Sequence, residues 1–508
     1  MIRPLDPQAV ARLGLTTAVT GLCSQGWLGR QRWFGGKSRS VTQLRLRDQA
    51  AFALGDRQVW WGLLAVAYAD GGEEAYLLWF GLAETPPPGC VPLVRWDAAA
   101  GRPCCLYDLA DDADAVRAVL ALVRSAQPLP AVLGRFTGEV LLPLPDDLAA
   151  LPVHPCGGEQ SNSNFRLGDR CLGKLFRRFL AGPQPDYEIL AHLTRRTRFR
   201  HCPALLAALH YHPPSGPPAV LALLEQWIAH RGDAWQQTVH AFRQQLQHPQ
   251  HSAALPDFAL LGRRTAQLHL ALADAGDDPA FAPEPFLPAD LDQLTQRIVH
   301  HWQEVRRHLP DPAGAGELAP VLDRVLRLGP RLAHRLADAP AALFPGAPPT
   351  GLAAAPCDKI RVHGDFHLGQ VLCTGDGDFA IVDFEGEPGQ PLELRRARHA
   401  ALKDVAGMLR SFSYAAHIAA RELPAPATGH DAARALYRPA AAAFLQGYRR
   451  TVDQTRLLPR DPRQADRLLE LYLLDKALYE VLYELDHRPD WLAIPLAGLA
   501  ELLAADAD

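Results

Sequence analysis

At 508 residues the chain exceeds the size at which a single hydrophobic core stops growing, so two or three structural units are expected. Its 52 Lys and Arg against 56 Asp and Glu give a formal net charge of -4, and without a long basic run nothing resembles a nucleic-acid footprint; any phosphate must be held by local geometry. Nine cysteines, an odd number without paired C-x-x-C spacing, argue against a disulfide framework or a zinc site and favour reduced thiols in the cytosol.

The opening MIRPLDPQAVARLG carries Asp6 where a secretory signal needs an apolar core, and no window reaches about 18 uninterrupted apolar residues, so a soluble cytoplasmic protein without a membrane partner is expected. Residues 7–26 read as a helix, followed by strand-like VTQLRLRD and EEAYLLWFGL; TPPPG at 85–89 then breaks the pattern. Short strand candidates continue to about residue 224 (GEVLLPL, SNFRLGD, CLGKLFR, AVLALLEQW), around a helical interval at 113–125. Beyond Trp227 the texture changes to long Ala/Leu/Arg stretches at 233–246, 258–272, 290–308 and 318–336, with apolar residues at helical spacing. Proline-rich intervals at 279–288 and 339–356 read as loops, because proline cannot donate to a helix ladder.

The chemistry concentrates in two acidic patches. In HGDFHLGQ, Asp365 sits in a His-Gly-Asp turn and Gln370 follows five positions later, the spacing at which a kinase catalytic loop sets its base and its amide metal ligand. Asp383, in VDFEGEP, follows the short apolar run FAIV, which reads as a buried strand that would hold the carboxylate rigidly off its end, as a Mg²⁺ ligand requires. Either aspartate alone also fits a turn that caps a backbone N–H. Their spacing and strand context together favour the metal–nucleotide reading. His367 reads more readily as a hydrogen-bonded loop histidine than as a metal ligand, since Mg²⁺ prefers oxygen.

Upstream, GGEQSNSNFRLGDRCLGKLFRR reads as a hairpin. The small polar turn at 157–163 offers N–H groups to phosphates, and Lys174 lies in the apolar run of the returning strand. A lysine there needs a partner, for which Glu188 in PDYEILAHL is a candidate; an edge-strand lysine facing water is the alternative. Near the C-terminus, LYLLDKALYEVLYELDHRPDWL brings Asp475, Tyr479, Tyr483 and Asp486 within about one helical face, beside the i, i+4 pair Lys476 and Glu480. Aromatic faces with carboxylates suit a neutral sugar, although a solvated amphipathic helix has the same pattern. RQRWFGGKSR at 30–39 reads as a basic turn anchored by two buried aromatics, Trp33 and Phe34, in preference to a segment that touches phosphate or the other lobe.

Taken together, HGDFHLGQVL, IVDFEGEP, KDVAGMLRSFSYAA, LGRRTAQLH, GGEQSNSN and RQRWFGGKSR resemble the bacterial maltokinases, within the aminoglycoside-phosphotransferase-like kinases, over about residues 30 to 490. The resemblance implies an α+β, bilobal protein-kinase-like fold: a cap subdomain at 1–88, the rest of a β-rich N-terminal lobe at 89–224, and a mainly α-helical C-terminal lobe at 225–508. It implies ATP and Mg²⁺ as cofactors, and phosphorylation of the anomeric hydroxyl of maltose for α-glucan synthesis. By the same resemblance Asp365 is the catalytic base, Gln370 and Asp383 hold the metal, and Lys174 pairs with Glu188. Ser161, Asn162 and Ser163 cover the phosphates, and Glu225 and Trp227 lie in the hinge that receives adenine. His367, Asp475, Lys476, Tyr479, Glu480 and Tyr483 form the acceptor side.

Leu394, where the family has an acid, and Ala400 and Ala401, where it has Ser-Pro, depart from the pattern near the acceptor side. A glucosamine kinase would use the same machinery with a carboxylate beside the substrate's ammonium, such as Asp475 or Glu480. A catalytically silent partner of trehalose synthase is the reading from another class. Such a protein would be expected to have lost one of Lys174, Asp365, Gln370 or Asp383, and all four are present.

Overall fold

The computed structural model describes residues 3–6, 10, 13–54, 57–98, 101–125, 127–156, 162–248, 255–346, 355–421 and 426–504. The chain forms two compact units, Met1–Arg195 with Pro203–Ala229, and Arg196–Cys202 with His230–Asp508.

Among the described residues the first unit contains two antiparallel sheets. One runs β1-β2-β3-β4-β6-β5, built from β1 (Arg3–Pro4), β2 (Val41–Leu54), β3 (Arg57–Tyr68), β4 (Glu73–Ala83), β5 (Pro92–Ala98) and β6 (Arg102–Asp108). The other runs β7-β8-β12-β13-β11-β10-β9, from β7 (Leu129–Pro130), β8 (Arg135–Val140), β9 (Val153–Pro155), β10 (Asn162–Leu167), β11 (Cys171–Phe176), β12 (Leu205–His212) and β13 (Ala219–Gln226). Successive side chains on a strand point to opposite faces, so consecutive Trp60 and Trp61 of β3 serve different cores. Trp60 stacks on Phe80 at 5.8 Å, in the cluster that includes Leu15 and Val19 of helix α1 (Leu15–Ser24). Trp61 meets Phe136 and Tyr211 of the second sheet at 5.0 and 4.9 Å. A strand buried on both faces loses the alternation that marks a half-buried one, which is why RQVWWGLLAVAY reads as one apolar run.

A register shift between Leu46 and Asp48 marks a bulge in β2, and the carboxylate of Asp48 is buried. It accepts from the backbone N–H of Leu133 and Gly134 at 2.9 and 2.8 Å and from the Tyr211 hydroxyl at 2.6 Å, which ties the two sheets together. Helices α2 (Ala113–Leu122) and α3 (Pro185–Arg196) complete the elements of this part of the chain.

The second unit is mainly helical: α4 (Ala234–Gln247), α5 (Phe258–Ala273), α6 (Pro288–His308), α7 (Ala319–Leu343), α8 (Leu392–Arg395), α9 (Leu402–Ala420), α10 (Pro426–Val452), α11 (Pro462–His487) and α12 (Ala493–Ala504). Two small sheets lie among them, β14-β17-β18 and β15-β16-β19, from β14 (His230–Asp233), β15 (Glu284–Pro285), β16 (Asp358–Ile360), β17 (Val371–Thr374), β18 (Phe379–Ile381) and β19 (His399–Ala400). Residues 196–202 belong here because the His201 carbonyl accepts the N–H of Ile381 at 2.8 Å, beyond the edge of β18.

Two expectations need correction or restriction. The helix expected to stop before 339 continues to Leu343, through Pro330 and Pro340. Its apolar stripe of Leu322, Val325, Leu332, Ala339 and Leu343 stays buried along the whole length, and that burial outweighs the roughly 3 kcal/mol cost of an interior proline. The first helix is described from Leu15, and residues 7–9, 11 and 12 of the expected span lie outside the described residues. No described helix is long and apolar enough to cross a membrane.

Candidate active site

In the first unit the register of β10 against β11 sets which side chains share a face. Asn162 lies opposite Phe176, Ser163 opposite Leu175 and Asn164 opposite Lys174. Cross-strand partners point the same way, so Asn162, Asn164 and Lys174 occupy one face of the hairpin and Ser163 the other. Lys174 is buried and donates to Asp186 Oδ2 at 2.7 Å. Asp186 stands in the first turn of α3, where a carboxylate also meets the positive end of the helix dipole. Glu188, the partner expected from the sequence, lies two residues further along the same helix. Among the described residues the buried Oδ1 of Asn164, on the lysine face, makes no hydrogen bond. Ser163 Oγ accepts from Arg177 Nε at 2.8 Å on the face away from Lys174. Ser161 lies outside the described residues.

Glu225 is buried near the end of β13, between Leu205 of β12 and Leu172 of β11. The N–H of Gln226 is donated to the Ala204 carbonyl and that of Trp227 to the Arg170 carbonyl, both at 2.9 Å. The backbone donors at the expected hinge are therefore already engaged at these two residues.

In the second unit the segment after β16 is held from below by α9. The buried carboxylate of Asp404 accepts from the N–H of His363 at 2.7 Å and of Gly364 at 2.9 Å, and lies 3.1 Å from His269 Nε2, whose Nδ1 meets the Tyr448 hydroxyl at 2.9 Å. Burial alone would push this carboxyl up; His269, His363 and the Gly364 N–H outweigh it and hold it below the usual range. Ser411 Oγ accepts the N–H of Leu368 at 3.1 Å. Gly407 has no side chain where a Cβ would come 2.6 Å from the Phe366 carbonyl, so helix and loop can touch. Asp404 falls within the KDVAG motif, but its role depends on contacts about forty positions away that no local pattern announces.

Asp365 sits on this clamped loop, a quarter exposed, with Lys476 Nζ 3.4 Å from its Oδ1. Burial raises its pKa, but Lys476, then His367 and His363, reverse the shift and keep it ionised below the usual carboxylate range. His367 Nδ1 accepts the N–H of Gly369 at 3.1 Å, so one of its ring nitrogens closes the turn before Gln370. The β17–β18 hairpin then brings Gln370 against Asp383: the side-chain amide of Gln370 donates through Nε2 to Asp383 Oδ2 at 2.9 Å, and the Val382 backbone N–H donates to the Gln370 backbone carbonyl at 3.0 Å. Asp383, two residues beyond the end of β18, has φ 68, a left-handed conformation uncommon outside glycine. Two neutral or anionic oxygen donors this close fit Mg²⁺, with the Gln370 amide turned to present its oxygen.

A cavity of about 750 Å³, measured out to its open mouth, lies against this loop and is lined by Gly364 and Phe366, which flank Asp365. Asp475, Lys476 and Tyr479 of α11 line it, as do Arg297 and His301 of α6 and Glu387, Gln390, Leu394, His399 and Lys403. Asp475 is engaged by Arg297 at 2.8 Å and lies 3.3 Å from His301; burial opposes its ionisation, but these two partners hold its pKa down to about 2. Glu387 makes no ion pair among the described residues.

The structure does not bring every expected acceptor residue here. Glu480 binds the buried Arg410 at 2.8 Å, and Tyr483 is exposed and stacks on His487 at 4.4 Å. The reason is helical drift: each i, i+4 step advances the face by about 40°, and Glu480 is a further 100° round from Tyr479. The residues that sequence reasoning missed, Glu387, Gln390, Arg297 and His301, come from a loop and another helix.

A buried lysine on a β-hairpin paired with a carboxylate in a helix first turn, followed by a mainly helical unit with a His-Gly-Asp loop and a strand-end aspartate, is the arrangement of the aminoglycoside-phosphotransferase-like kinase fold. Residues 27–108 match the family described as the maltokinase N-terminal cap domain. The glucosamine kinase of Streptacidiphilus jiangxiensis is 30% identical over 426 residues, covering 81% of this chain and 85% of that protein. The glucosamine kinase of Mycolicibacterium smegmatis is 27% identical over 358 residues, 69% of this chain and 79% of that one. A solved glucosamine kinase in complex with glucosamine, ADP and inorganic phosphate superposes with a TM-score of 0.62 at 23% identity, over 93% of this chain and 96% of that chain. The chain belongs to this maltokinase and glucosamine kinase family of sugar kinases.

Proposed function

We propose that the protein is an ATP-dependent kinase whose acceptor is an amino sugar of the glucosamine type. The observation that carries this reading is the Glu387 carboxylate, which lines the cavity beside the Asp365 loop and, though Lys476 and Arg297 share that cavity, makes no ion pair among the described residues. An ammonium on the acceptor would give this carboxylate a direct, charge-assisted hydrogen bond. The names of the relatives support the same class.

In this reading an acceptor hydroxyl oxygen attacks the γ-phosphorus of ATP, the bond to the β–γ bridging oxygen breaks, ADP leaves, and the hydroxyl proton passes to the Asp365 carboxylate. Lys476 keeps that carboxylate ionised until the acceptor arrives. Lys174, fixed by Asp186, grips nucleotide phosphate, with the Asn164 amide on the same face. Gln370 and Asp383 would hold Mg²⁺, which when bound neutralises charge developing on the phosphates.

Maltose is the second reading, favoured by the cap-domain match and by Leu394, which is 55% exposed at the cavity and offers apolar surface to a second ring. Rates of ADP release with Mg²⁺ and glucosamine, N-acetylglucosamine, glucose or maltose, with the product located by phosphorus NMR, decide between them. Glucosamine is expected to be the best acceptor, and Glu387→Gln to raise its KM at least about tenfold while leaving glucose within twofold. Turnover of maltose alone would establish the second reading, and silence with every sugar would sink both.

A further inference from the structure

The basic aromatic turn at 30–39 has no place in the chemistry above, yet it is bonded to the hairpin that carries Lys174. Trp33 and Phe34 lie 5.7 and 5.2 Å from the ring of Tyr76, and the Gly35 N–H donates to the Tyr76 hydroxyl at 3.2 Å. Tyr76 pairs in turn with Arg178 in an antiparallel bridge, flanked by hydrogen bonds from Leu77 N–H to the Arg177 carbonyl at 2.7 Å and from Phe179 N–H to the Ala75 carbonyl at 2.9 Å. Arg178 also reaches Glu74 at 3.0 Å. The backbone just beyond β11 is thus stitched to β4 of the first sheet.

Arg177 is the side chain that joins the two ends. It is only 4% exposed, its guanidinium carbon lies 5.6 Å from the Trp33 ring, and its Nε donates to Ser163 Oγ at 2.8 Å. Among the described residues it makes no ion pair, and burial presses its pKa downward. Asp108 offsets part of that burial without forming an ion pair, and an uncharged side chain of the same length would fill the space at less expense. What the guanidinium adds is a directed donor: within cation–π range of an indole on one side and hydrogen-bonded to one hydroxyl of the hairpin on the other.

We propose that Arg177 is a positioning residue through which the turn at 30–39 fixes the nucleotide hairpin, with Ser163 acting through Arg177 and not as a phosphate ligand. The inference rests on the reading of that hairpin as the nucleotide site, and every residue in it belongs to the first unit. The register supports it, since Ser163 points away from the face of Lys174.

The test is a double-mutant cycle read by calorimetric titration of Mg²⁺–ATP, together with KM for ATP and for the sugar. Arg177→Met is expected to weaken ATP binding and raise KM for ATP about tenfold, with kcat and sugar KM changed far less. Ser163→Ala should act in the same direction, and the double variant should be no worse than Arg177→Met alone. Trp33→Leu should behave likewise against Ser163→Ala, so that a poorly folding Arg177→Met leaves a usable cycle. Additive losses from Ser163→Ala and Arg177→Met would make Ser163 an independent phosphate ligand and overturn the proposal, as would unchanged ATP binding in a folded Arg177→Met. A wild-type protein that binds no ATP would instead remove the nucleotide reading beneath it.

Discussion

Asp383 illustrates how a single residue can be chosen against its own backbone. Its φ of 68 is a conformation that glycine adopts freely and aspartate does not, and the next turn residue of this kind, Gly386 with φ 72, is a glycine. Asp383→Gly relieves that strain and adds unfolded-chain entropy, two effects of about 0.5–1 kcal/mol that oppose one another. Its stability is therefore expected to stay within about 1 kcal/mol of wild type in urea titration while turnover and Mg²⁺-dependent ATP binding are lost. Retained turnover would remove Asp383 from the metal site. Asp404 is the opposite case, a residue whose work is structural support. It accepts two loop N–H groups and faces His269, so Asp404→Asn keeps one acceptor oxygen but sets its NH2 group against the other N–H donor, and should cost about 2–4 kcal/mol. Because its folded pKa lies below the unfolded value of about 3.9, its ionised form contributes stability fully above that pH, and the contribution disappears as pH falls through the folded value. Urea midpoints measured from pH 6 down to pH 3 should therefore fall less steeply for Asp404→Asn than for wild type.

Among the elements, helix crossings depend on small residues that the apolar period does not reveal. At the meeting of α5 and α10, a Cβ on Gly447 would lie 1.9 Å from the Ala259 carbonyl, and one on Gly262 would lie 2.1 Å from the Phe444 carbonyl. Both obstacles are backbone, which cannot rotate aside. Gly447→Ala should therefore destabilise the protein by at least about 2 kcal/mol although alanine is the better helix former, and a more stable variant would show that the helices separate freely. The order of strand-rich and then helical sequence was legible because period-2 and period-3.6 patterns are local, and so were Gln370 and Asp383, which a short hairpin brings together. Asp186, Asn164, Glu387 and Asp404 were not singled out. Their significance comes from register and from contacts between distant segments: Asn164 faces Lys174 only because β10 and β11 pair as they do, and Glu480 turns to Arg410 only because helical drift carries it off the Tyr479 face.

For the whole molecule, the decisive fact is that the two candidate substrate sites are built from different units. Every residue lining the sugar cavity, from Arg297 to Tyr479, belongs to the second unit, whereas Lys174, Asp186 and Asn164 belong to the first. Arg297 and Asp475 are joined by an ion pair and His301 Nδ1 lies 3.3 Å from the same carboxylate, so this wall of the cavity is held together by residues of the second unit. A preformed site of this kind binds its ligand without first paying to order the groups that hold it. The sugar is therefore expected to bind in the absence of ATP, and Lys174→Met, which removes the lysine from the nucleotide hairpin, should leave the sugar Kd within about twofold. Hydrogen exchange with sugar alone should slow amides in α6, α9 and α11 and leave the β10–β11 hairpin as it was. Sugar binding that appears only with ATP, or protection that spreads to the hairpin, would mean that the acceptor site is completed by the nucleotide and not by the second unit alone.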